Sequence, residues 1–352
     1  MATTRLRRVS CTGPGLTRRR RGRGFVYVDA GGQPVTDSTT VERIKALVIP
    51  PAWNDVWICP TASGHIQATG VDARGRRQYR YHDIWRLQRD LAKHDRSLDF
   101  ASRLPAARDR IRSDLQGDEL TCERVLACAV RLLDLGFFRI GGEQYAEENQ
   151  TYGLATMHKE HVHVAKDGTL TFDYTAKSGK HLHKSLAEPE VGAVIAALKR
   201  RRGGGKELLA YRGADGAWVD VKSTDINAYL RDATGGDDSA KDFRTWSATV
   251  LAAIGLAVST NALSDSARKR AVTRVVKEVS EQLGNTPAVC RSSYIDPRII
   301  DLYDAGTTIR KDLDKLGADA SYGEPAFQGA IETAVLHLLR DAPDELALPM
   351  AG

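Results

Sequence analysis

The chain has 352 residues, of which 42% are hydrophobic and 27% are charged, so it is long enough for two domains with a sizeable core. No apolar run approaches the roughly 20 residues of a membrane span, and no apolar segment of a secretory signal follows the N-terminal arginines. The five cysteines are an odd number without the spacing of a zinc site. Cys122 and Cys128 are interpreted as small hydrophobic residues of a helix. These features predict a cytoplasmic protein without a metal site or a membrane partner.

The formal charge of +6 is concentrated at the N-terminus. Residues 1–24 contain eight arginines and no acidic residue, whereas the rest of the chain is slightly acidic. The block Arg18–Arg21 predicts that residues 1–24 form a disordered basic arm that follows nucleic-acid phosphates. A solvated tail without a specific role is the alternative interpretation of the same block.

A second basic cluster has a different character because it alternates guanidinium groups with aromatic rings and an amide. Such side chains suit contacts with phosphates and base edges in a DNA groove better than they suit solubility alone. The cluster predicts a DNA-binding surface made of Arg74, Arg76, Arg77, Gln78, Tyr79 and Tyr81.

Residues 25–90 show the signals of a small β-rich, DNA-binding domain. Short apolar runs between turn residues predict strands, at 25–29, 56–60 and 65–70. A short helix is predicted between the first two strands, over 40–46, where Pro50 and Pro51 prevent its extension.

Helical periodicity dominates from about residue 82 onward. The clearest helix is predicted over 118–135, whose apolar residues lie on one face and which ends at Gly136. Further helices are predicted at 187–200, 223–232, 244–259, 266–284 and 325–341. Two short apolar runs around a Lys-Asp-Gly turn within 161–174 predict a β-hairpin. Residues 91–352 therefore form a larger, mainly helical domain, and the fold class is α+β.

Tyr294 follows Arg139, Arg244 and Asn285 along the chain, and these residue types suit the attack of a phenol on a DNA phosphodiester. A free tyrosine has a pKa near 10, so its attack requires cations that stabilise the pentacoordinate phosphorane. The planar forks of two arginines fit this role. Each residue alone also has a structural interpretation, such as a helix C-terminal cation for Arg139 or a C-cap for Asn285.

The sequence lacks the motifs on which several other kinds of catalysis depend. It contains no P-loop, no Asp/Glu/His metal cluster and no Gly-x-Ser-x-Gly elbow. Metal-dependent nucleases, ATP-driven motors and serine hydrolases are therefore disfavoured, and we expect neither a cofactor nor a metal.

Four blocks of the chain resemble the type IB DNA topoisomerases, particularly the bacterial branch of the small poxvirus-like kind. The resemblance extends from about Phe25 to Asp301, and the order and gaps of the blocks are more specific than any single residue. The blocks are Gly75–Tyr81, Arg139 through Tyr145 to Thr156, Phe243–Thr245, and Gly284–Tyr294.

The resemblance implies a domain similar to tyrosine recombinases and topoisomerase IB, which forms a clamp on double-stranded DNA together with the N-terminal domain. It implies a monomeric, nucleoid-associated enzyme that relaxes supercoils through a 3′-phosphotyrosyl link, strand rotation and religation, without ATP or metal. Tyr294 is then the nucleophile, and Arg139, Arg244 and Asn285 hold the phosphorane oxygens. Tyr145 is assigned to the DNA-binding residues.

Two details of the catalytic set follow from the same resemblance. The family's catalytic lysine lies on a β-hairpin, which favours Lys177 as the general acid and leaves Lys180 as the alternative. Viral and eukaryotic relatives carry histidine where this chain, like the bacterial branch, carries Asn285. An amide donates a neutral hydrogen bond and does not titrate, so this position is expected to contribute no ionisation near pH 6–7.

Two alternative functions use some of the same features. A tyrosine recombinase shares the Arg–Lys–Arg–Tyr chemistry, but recombinases usually carry His-x-x-Arg at the second arginine, a helical N-terminal domain, and a C-terminal element exchanged within a tetramer. A non-catalytic DNA-binding protein would account for the basic clusters alone. Relaxation of supercoiled plasmid by a monomer would distinguish a topoisomerase from a recombinase. A non-catalytic DNA-binding protein would be unaffected by Tyr294→Phe, whereas a topoisomerase would lose relaxation and keep most of its DNA binding.

Overall fold

The computed structural model describes residues 5–136, 138–259, 264–316 and 328–342. The side chains of Gln144, Tyr145 and Ser178 lie outside this description, so the prediction for Tyr145 concerns a side chain that is not described. The chain divides into two compact units, Met1–Lys93 and His94–Gly352.

The first unit is built on a five-stranded antiparallel sheet with the strand order β2-β1-β3-β4-β5. Its strands are β1 (Leu16–Arg21), β2 (Gly24–Val28), β3 (Asn54–Ile58), β4 (Ile66–Val71) and β5 (Arg77–Tyr81). One helix, α1 (Ser38–Ala46), packs through Ile44 against Leu16, Val56 and Ile58 of the sheet. The β-rich character predicted for this region is confirmed.

The prediction of a disordered arm is wrong for the arginine block. Residues 18–21 lie in β1, where Arg19 pairs with Val26 and Arg20 with Phe25 of β2. The Arg18 guanidinium donates to the carbonyls of Ile49, Pro50 and Trp53, at 2.7 to 3.1 Å. A run of charged residues predicts that the side chains are solvated. Strand pairing uses backbone N–H and C=O groups, however, and charged side chains do not prevent it.

The second unit is mainly helical. Helix α2 (Asp83–Asp114) begins in the first unit and ends in the second. The following helices are α3 (Cys122–Gly136), α4 (Glu143–Asn149), α5 (Pro189–Arg200), α6 (Ser223–Thr234), α7 (Ala240–Ala257), α8 (Asp265–Gln282), α9 (Pro287–Ser293), α10 (Pro297–Asp304), α11 (Arg310–Leu316) and α12 (Ala330–Arg340). Each predicted helix overlaps one of these.

Two small sheets interrupt the helices. Strands β6 (Val162–Val164) and β7 (Leu170–Ala176) form the predicted hairpin, and β8 (Lys180–Leu186) adds a third antiparallel strand that the sequence analysis missed. Leu182 and Leu186 are its only apolar residues among lysines, histidines and a serine, so the strand lacks the apolar run by which the other strands were predicted. A further hairpin, also missed, joins β9 (Ala210–Arg212) to β10 (Trp218–Asp220).

The core of the second unit fixes the residues that precede both candidate arginines. Phe138 is fully buried and meets the ring of Phe172 edge-on at 4.7 Å between ring centroids. Phe243 is also buried and meets Phe100 in the same way at 4.9 Å. Because interiors are close-packed, these rings leave the backbones at 139 and 244 little room to move.

All five cysteines are described, and none is in a disulfide. Cys128 is fully buried, and burial raises the pKa of its thiol to about 12, so it behaves as the small hydrophobic residue that was predicted. Cys122 is only half-buried. Within the described ranges, no helix combines the length and the apolar character that a membrane crossing requires.

Candidate active site

Helix α8 ends in a tight turn around Gly284 and Asn285. Gly284 has a φ of +64°, and the N–H groups of Gly284 and Asn285 donate to the carbonyls of Glu281 and Ser280 at 3.0 and 2.8 Å. This is a Schellman motif, and glycine suits its left-handed position because it carries no Cβ. The backbone of Asn285 thus closes the helix, as its position in the sequence indicated.

Arg139 contacts this turn directly. Its Nη2 donates to Asn285 Oδ1 at 2.5 Å and to the carbonyl of Gly284 at 3.0 Å. The Arg139 carbonyl in turn accepts from the Leu154 N–H at 2.9 Å. Nearby, a Cβ at Gly153 would lie 2.5 Å from backbone atoms of Gly141, so glycine is required where these two segments meet.

Arg244 reaches the same helix end from α7. Its side chain is buried, and its Nη2 donates to the Leu283 carbonyl at 2.7 Å. Burial lowers the pKa of the Arg244 guanidinium, and the positive charge of Arg139 acts in the same direction. Two arginines are therefore concentrated at one helix C-terminus, whose carbonyls favour cations.

Tyr294 follows the short helix α9, which begins beyond the same turn. Its N–H donates to the Cys290 carbonyl at 3.0 Å, and its own carbonyl accepts from Thr249 Oγ1 of α7 at 3.4 Å. The guanidinium carbon of Arg244 lies 5.4 Å from the centroid of the Tyr294 ring. The half-buried phenol and the buried arginine are thus neighbours, and α7 holds both of them.

Among the described residues, the amide nitrogen of Asn285 is a donor without an acceptor. Its oxygen accepts from Arg139, which orients the nitrogen away from that arginine. Across the described ranges, Nδ2 of Asn285 is buried and has no hydrogen-bond partner. A buried donor left unpaired costs about 1–3 kcal/mol, and an anionic oxygen bound beside the two arginines would remove that cost.

The two candidate lysines lie at different places on the β7–β8 connection. Lys177 is exposed in the turn between the strands. Lys180 begins β8, and its Nζ donates to the carbonyl of Asn285 at 3.1 Å. The hairpin therefore reaches the end of α8, with Lys180 against it and Lys177 three residues earlier in the turn.

Two further groups near the arginines were missed by sequence reasoning. Tyr174 of β7 is buried; burial raises the pKa of its phenol, and the charges of Arg139 and Arg244 oppose that shift. Lys184 of β8 donates to the Gly136 carbonyl at 2.8 Å, and burial, followed by the charge of Arg244, lowers its pKa to about 8. The alternation of β7 and β8 could have placed both on the inner face.

The basic cluster of the first unit lies on β5 and the turn before it. Tyr79 and Tyr81 are exposed, and their rings stack at 5.9 Å between centroids. Asp72 accepts two hydrogen bonds from the Arg76 guanidinium and one from the Gln78 amide, at 2.8 to 2.9 Å. The arginine hydrogen bonds, first among the causes, lower the pKa of Asp72 to about 2.

The alternation of β5 divides the predicted DNA-binding residues between two faces of the strand. Arg77, Tyr79 and Tyr81 share the exposed face, while Gln78 lies on the opposite, half-buried face beside Asp72. Asp72 thus neutralises Arg76 and holds Gln78. This carboxylate could not be recognised from the sequence, because its role depends on how the turn folds.

One group of described side chains has the chemistry of metal ligands, namely His158, Glu160 and His161, whose nitrogen and oxygen atoms lie within 4.8 Å of one another. However, His161 Nδ1 accepts the backbone N–H of His158 at 3.1 Å, so the neutral ring carries its proton on Nε2. Ligating histidines show the opposite pattern, with the second nitrogen donating. These residues do not fit a metal ion.

Comparison with known proteins agrees with this geometry. Residues 82–319 match the family model described as eukaryotic DNA topoisomerase I, catalytic core, and residues 24–72 match the model of the bacterial DNA topoisomerase IB N-terminal domain. The chain therefore belongs to the type IB DNA topoisomerase family and is a type I DNA topoisomerase.

Relatives from viruses and eukaryotes match over different lengths. The chain is 28% identical to DNA topoisomerase 1B of Acanthamoeba polyphaga mimivirus over 82% of this chain and 87% of that protein. It is 21% identical to DNA topoisomerase 1B of vaccinia virus strain Copenhagen over 76% of this chain and 84% of that protein. The match to DNA topoisomerase 1 of Schizosaccharomyces pombe, at 29% identity, covers 46% of this chain and 19% of that protein.

Proposed function

We propose that this enzyme relaxes supercoiled double-stranded DNA by transient cleavage of one strand with Tyr294 as the nucleophile. The observation that carries the proposal is the convergence of Arg139, Arg244 and Asn285 on the end of α8, next to the Tyr294 ring. Guanidinium forks and an amide donor around one tyrosine form a pocket for an anionic phosphorane.

The cleavage step exchanges one phosphoester for another. The Tyr294 phenol gives up its proton to solvent water and its oxygen bonds to the scissile phosphorus, while the bond from phosphorus to the 5′-oxygen breaks. A 3′-phosphotyrosyl link and, once the 5′-oxygen is protonated, a 5′-hydroxyl strand result. Arg139 and Arg244 stabilise the charge on the non-bridging oxygens. The Asn285 amide donates to one of them through Nδ2, the atom that has no partner among the described residues.

A lysine supplies the proton that the departing 5′-oxygen needs. We assign this role to Lys177 on the family resemblance, and Lys180 remains the alternative because its Nζ lies against the Asn285 carbonyl. Religation reverses the step: the lysine accepts the proton as the 5′-hydroxyl attacks phosphorus, and the tyrosine leaves as a phenolate that regains a proton from solvent water. Since the phosphotyrosyl link conserves the ester bond, neither ATP nor a metal is required.

The first unit contributes DNA contacts that depend on salt. Arg74, Arg77, Tyr79 and Tyr81 are exposed at β5 and its turn, where cations and stacked rings suit phosphates and groove edges. Arg76 and Gln78 take part from their positions beside Asp72. We further propose that the enzyme acts as a monomer, so the initial rate of relaxation rises linearly with its concentration.

A plasmid relaxation assay tests the proposal. We expect the protein to relax supercoiled plasmid in the presence of EDTA and without ATP, and Y294F to lose this activity while it retains DNA binding. Full relaxation by Y294F would overturn the assignment of the nucleophile. A rate that rises with the square of enzyme concentration would overturn the monomer.

A further inference from the structure

Helix α12 lies beyond residues 82–319, which match the topoisomerase core, yet it is packed into the catalytic unit. Ile331, Val335 and Leu339 recur every four residues and are each at most 2% exposed. This spacing places all three on one face of the helix, which therefore belongs to the hydrophobic core of the unit.

Glu332, next to Ile331, connects three helices through one carboxylate. It accepts both Nη groups of Arg108 from α2, and Arg108 also donates to Asp134 of α3 at 2.8 and 2.9 Å. Glu332 Oε1 accepts the indole N–H of Trp246 from α7 at 3.1 Å. A half-buried carboxylate in this position is stable because Arg108 compensates its charge.

Trp246 links this network to the candidate active site. Its side chain is 1% exposed, so its N–H needs an acceptor inside the protein, and Glu332 is that acceptor. Trp246 is two residues after Arg244 on the same helix, and Arg244 in turn donates to the Leu283 carbonyl. The position of α7, both about and along its own axis, thus depends on one contact with α12 and another with the end of α8.

We propose that Glu332 is a positioning residue for DNA cleavage, which through Trp246 fixes α7 and with it the Arg244 guanidinium. The inference rests on the role proposed above for Arg244. It assigns a catalytic purpose to a helix outside the matched core, and it predicts that damage to the Glu332–Trp246 contact lowers the cleavage rate more than DNA affinity. Misplacement of a catalytic group by about 1 Å can cost roughly 10²-fold in rate, so a displaced Arg244 guanidinium would account for such a loss.

The experiment measures single-turnover cleavage of a suicide DNA substrate at saturating enzyme, and DNA affinity separately, with the full-length protein. We expect E332L to cleave roughly tenfold more slowly with an unchanged dissociation constant. E332Q retains an acceptor for Trp246 and is expected to cleave within about threefold of the wild type. The control is H337A, an exposed position on the same helix, which should cleave at the wild-type rate.

A double-mutant cycle separates positioning from general destabilisation. In an R244K background, E332L should cause little further loss, because its effect passes through Arg244. An equal tenfold loss in both backgrounds, a wild-type rate for E332L, or a loss in E332Q as large as in E332L would each overturn the proposal. If E332L does not fold, W246F replaces it, since it removes the indole N–H and keeps the Arg108–Glu332 pair.

The same measurements distinguish failure of the proposed function from failure of the positioning role. If the wild type does not cleave, or R244K cleaves at the wild-type rate, the role of Arg244 is wrong whatever Glu332 does. If the wild type cleaves and R244K is impaired while E332L is normal, only the positioning role is wrong.

Discussion

The candidate arginines are anchored by backbone carbonyls at the end of a helix. Arg139 donates to the carbonyl of Gly284 and Arg244 to that of Leu283. A carbonyl orients a guanidinium but does not neutralise it, whereas a carboxylate would consume the charge that a phosphate needs. The end of α8 thus orders two positive groups and preserves their charge.

Asn285 provides a prediction at this scale. N285A removes the Nδ2 donor, which has no acceptor among the described residues, and the oxygen that accepts from Arg139. We therefore expect single-turnover cleavage to fall by about 10²-fold, as for other oxyanion donors. The wild-type rate should show no step near pH 6.5, because an amide does not titrate. N285H should introduce such a step. A step in the wild type that disappears in N285A would contradict the assignment.

The choice between Lys177 and Lys180 can be made with a modified leaving group. A 5′-bridging sulfur departs without protonation because a thiol is far more acidic than an alcohol. We expect K177A to cleave ordinary DNA slowly and the sulfur-substituted DNA at nearly the wild-type rate. K180A should show a smaller defect that the sulfur does not correct. The reverse pattern would assign the acid to Lys180.

At the scale of elements, the end of α8 depends on the left-handed conformation of Gly284. G284A places a Cβ where φ is +64°, although its nearest neighbour would be 3.7 Å away, so the cost comes from the backbone and is about 1 kcal/mol. Gly235 closes α6 with a similar φ of +66°, and no atom of the described residues lies within 4 Å of the added Cβ. We expect G284A and G235A to lose similar stability in urea denaturation, and only G284A to lose cleavage activity as well. Equal activity in both would show that the turn does not position the arginines.

Strand β5 gives a prediction about salt dependence. Arg76 is paired with Asp72, whereas Arg77 lies exposed on the face of Tyr79 and Tyr81. R77A should reduce the slope of log binding constant against log salt by about 0.9, the value for one phosphate contact. R76A should reduce it less. Fluorescence titrations from 50 to 200 mM salt measure both slopes, and a larger effect of R76A would contradict the model of a neutralised Arg76.

The elements that the sequence predicted are those with a local signal. The helix over 118–135 and the hairpin within 161–174 have clear apolar periods, and both are present. Strand β1 was hidden by its arginines and β8 by its lysines and histidines, because backbone pairing leaves no mark on such side chains. The roles of Asp72, Lys184 and Glu332 were not predicted for a related reason, since these residues meet their partners only when the chain folds.

The candidate site was more accessible to prediction than its surroundings. Phosphoryl transfer to a tyrosine demands particular residue types, and their order in the chain indicated Arg139, Arg244 and Asn285 together with Tyr294. The structure brings these four residues to one helix end, while their catalytic roles stay predictions. Nothing in the sequence showed which atoms of the turn anchor the arginines, because that depends on the packing of α7, α8 and the segment at 139.

At the scale of the whole molecule, the buried Lys184 beside the candidate site makes the free energy of unfolding depend on pH. Burial and the charge of Arg244 lower its pKa to about 8, against about 10.4 in the unfolded chain. Below pH 8 both states are charged and burial of the charge destabilises the fold in full. Between pH 8 and 10.4 the unfolded state binds more protons, so stability rises with pH.

A lysine-to-methionine substitution measures this contribution. The difference in unfolding free energy between wild type and K184M should shift in favour of the wild type from pH 8 to 10.4, as determined by urea denaturation. A difference that stays constant with pH would contradict the lowered pKa of Lys184.

The most direct test of the central claim is to map the covalent adduct. A suicide duplex, from which the 5′-hydroxyl strand dissociates after cleavage, should trap the enzyme on DNA, and peptide mapping should locate the 3′-phosphate on Tyr294. Y294F should bind the same duplex and form no adduct. An adduct on another residue, or an undiminished adduct in Y294F, would contradict the account.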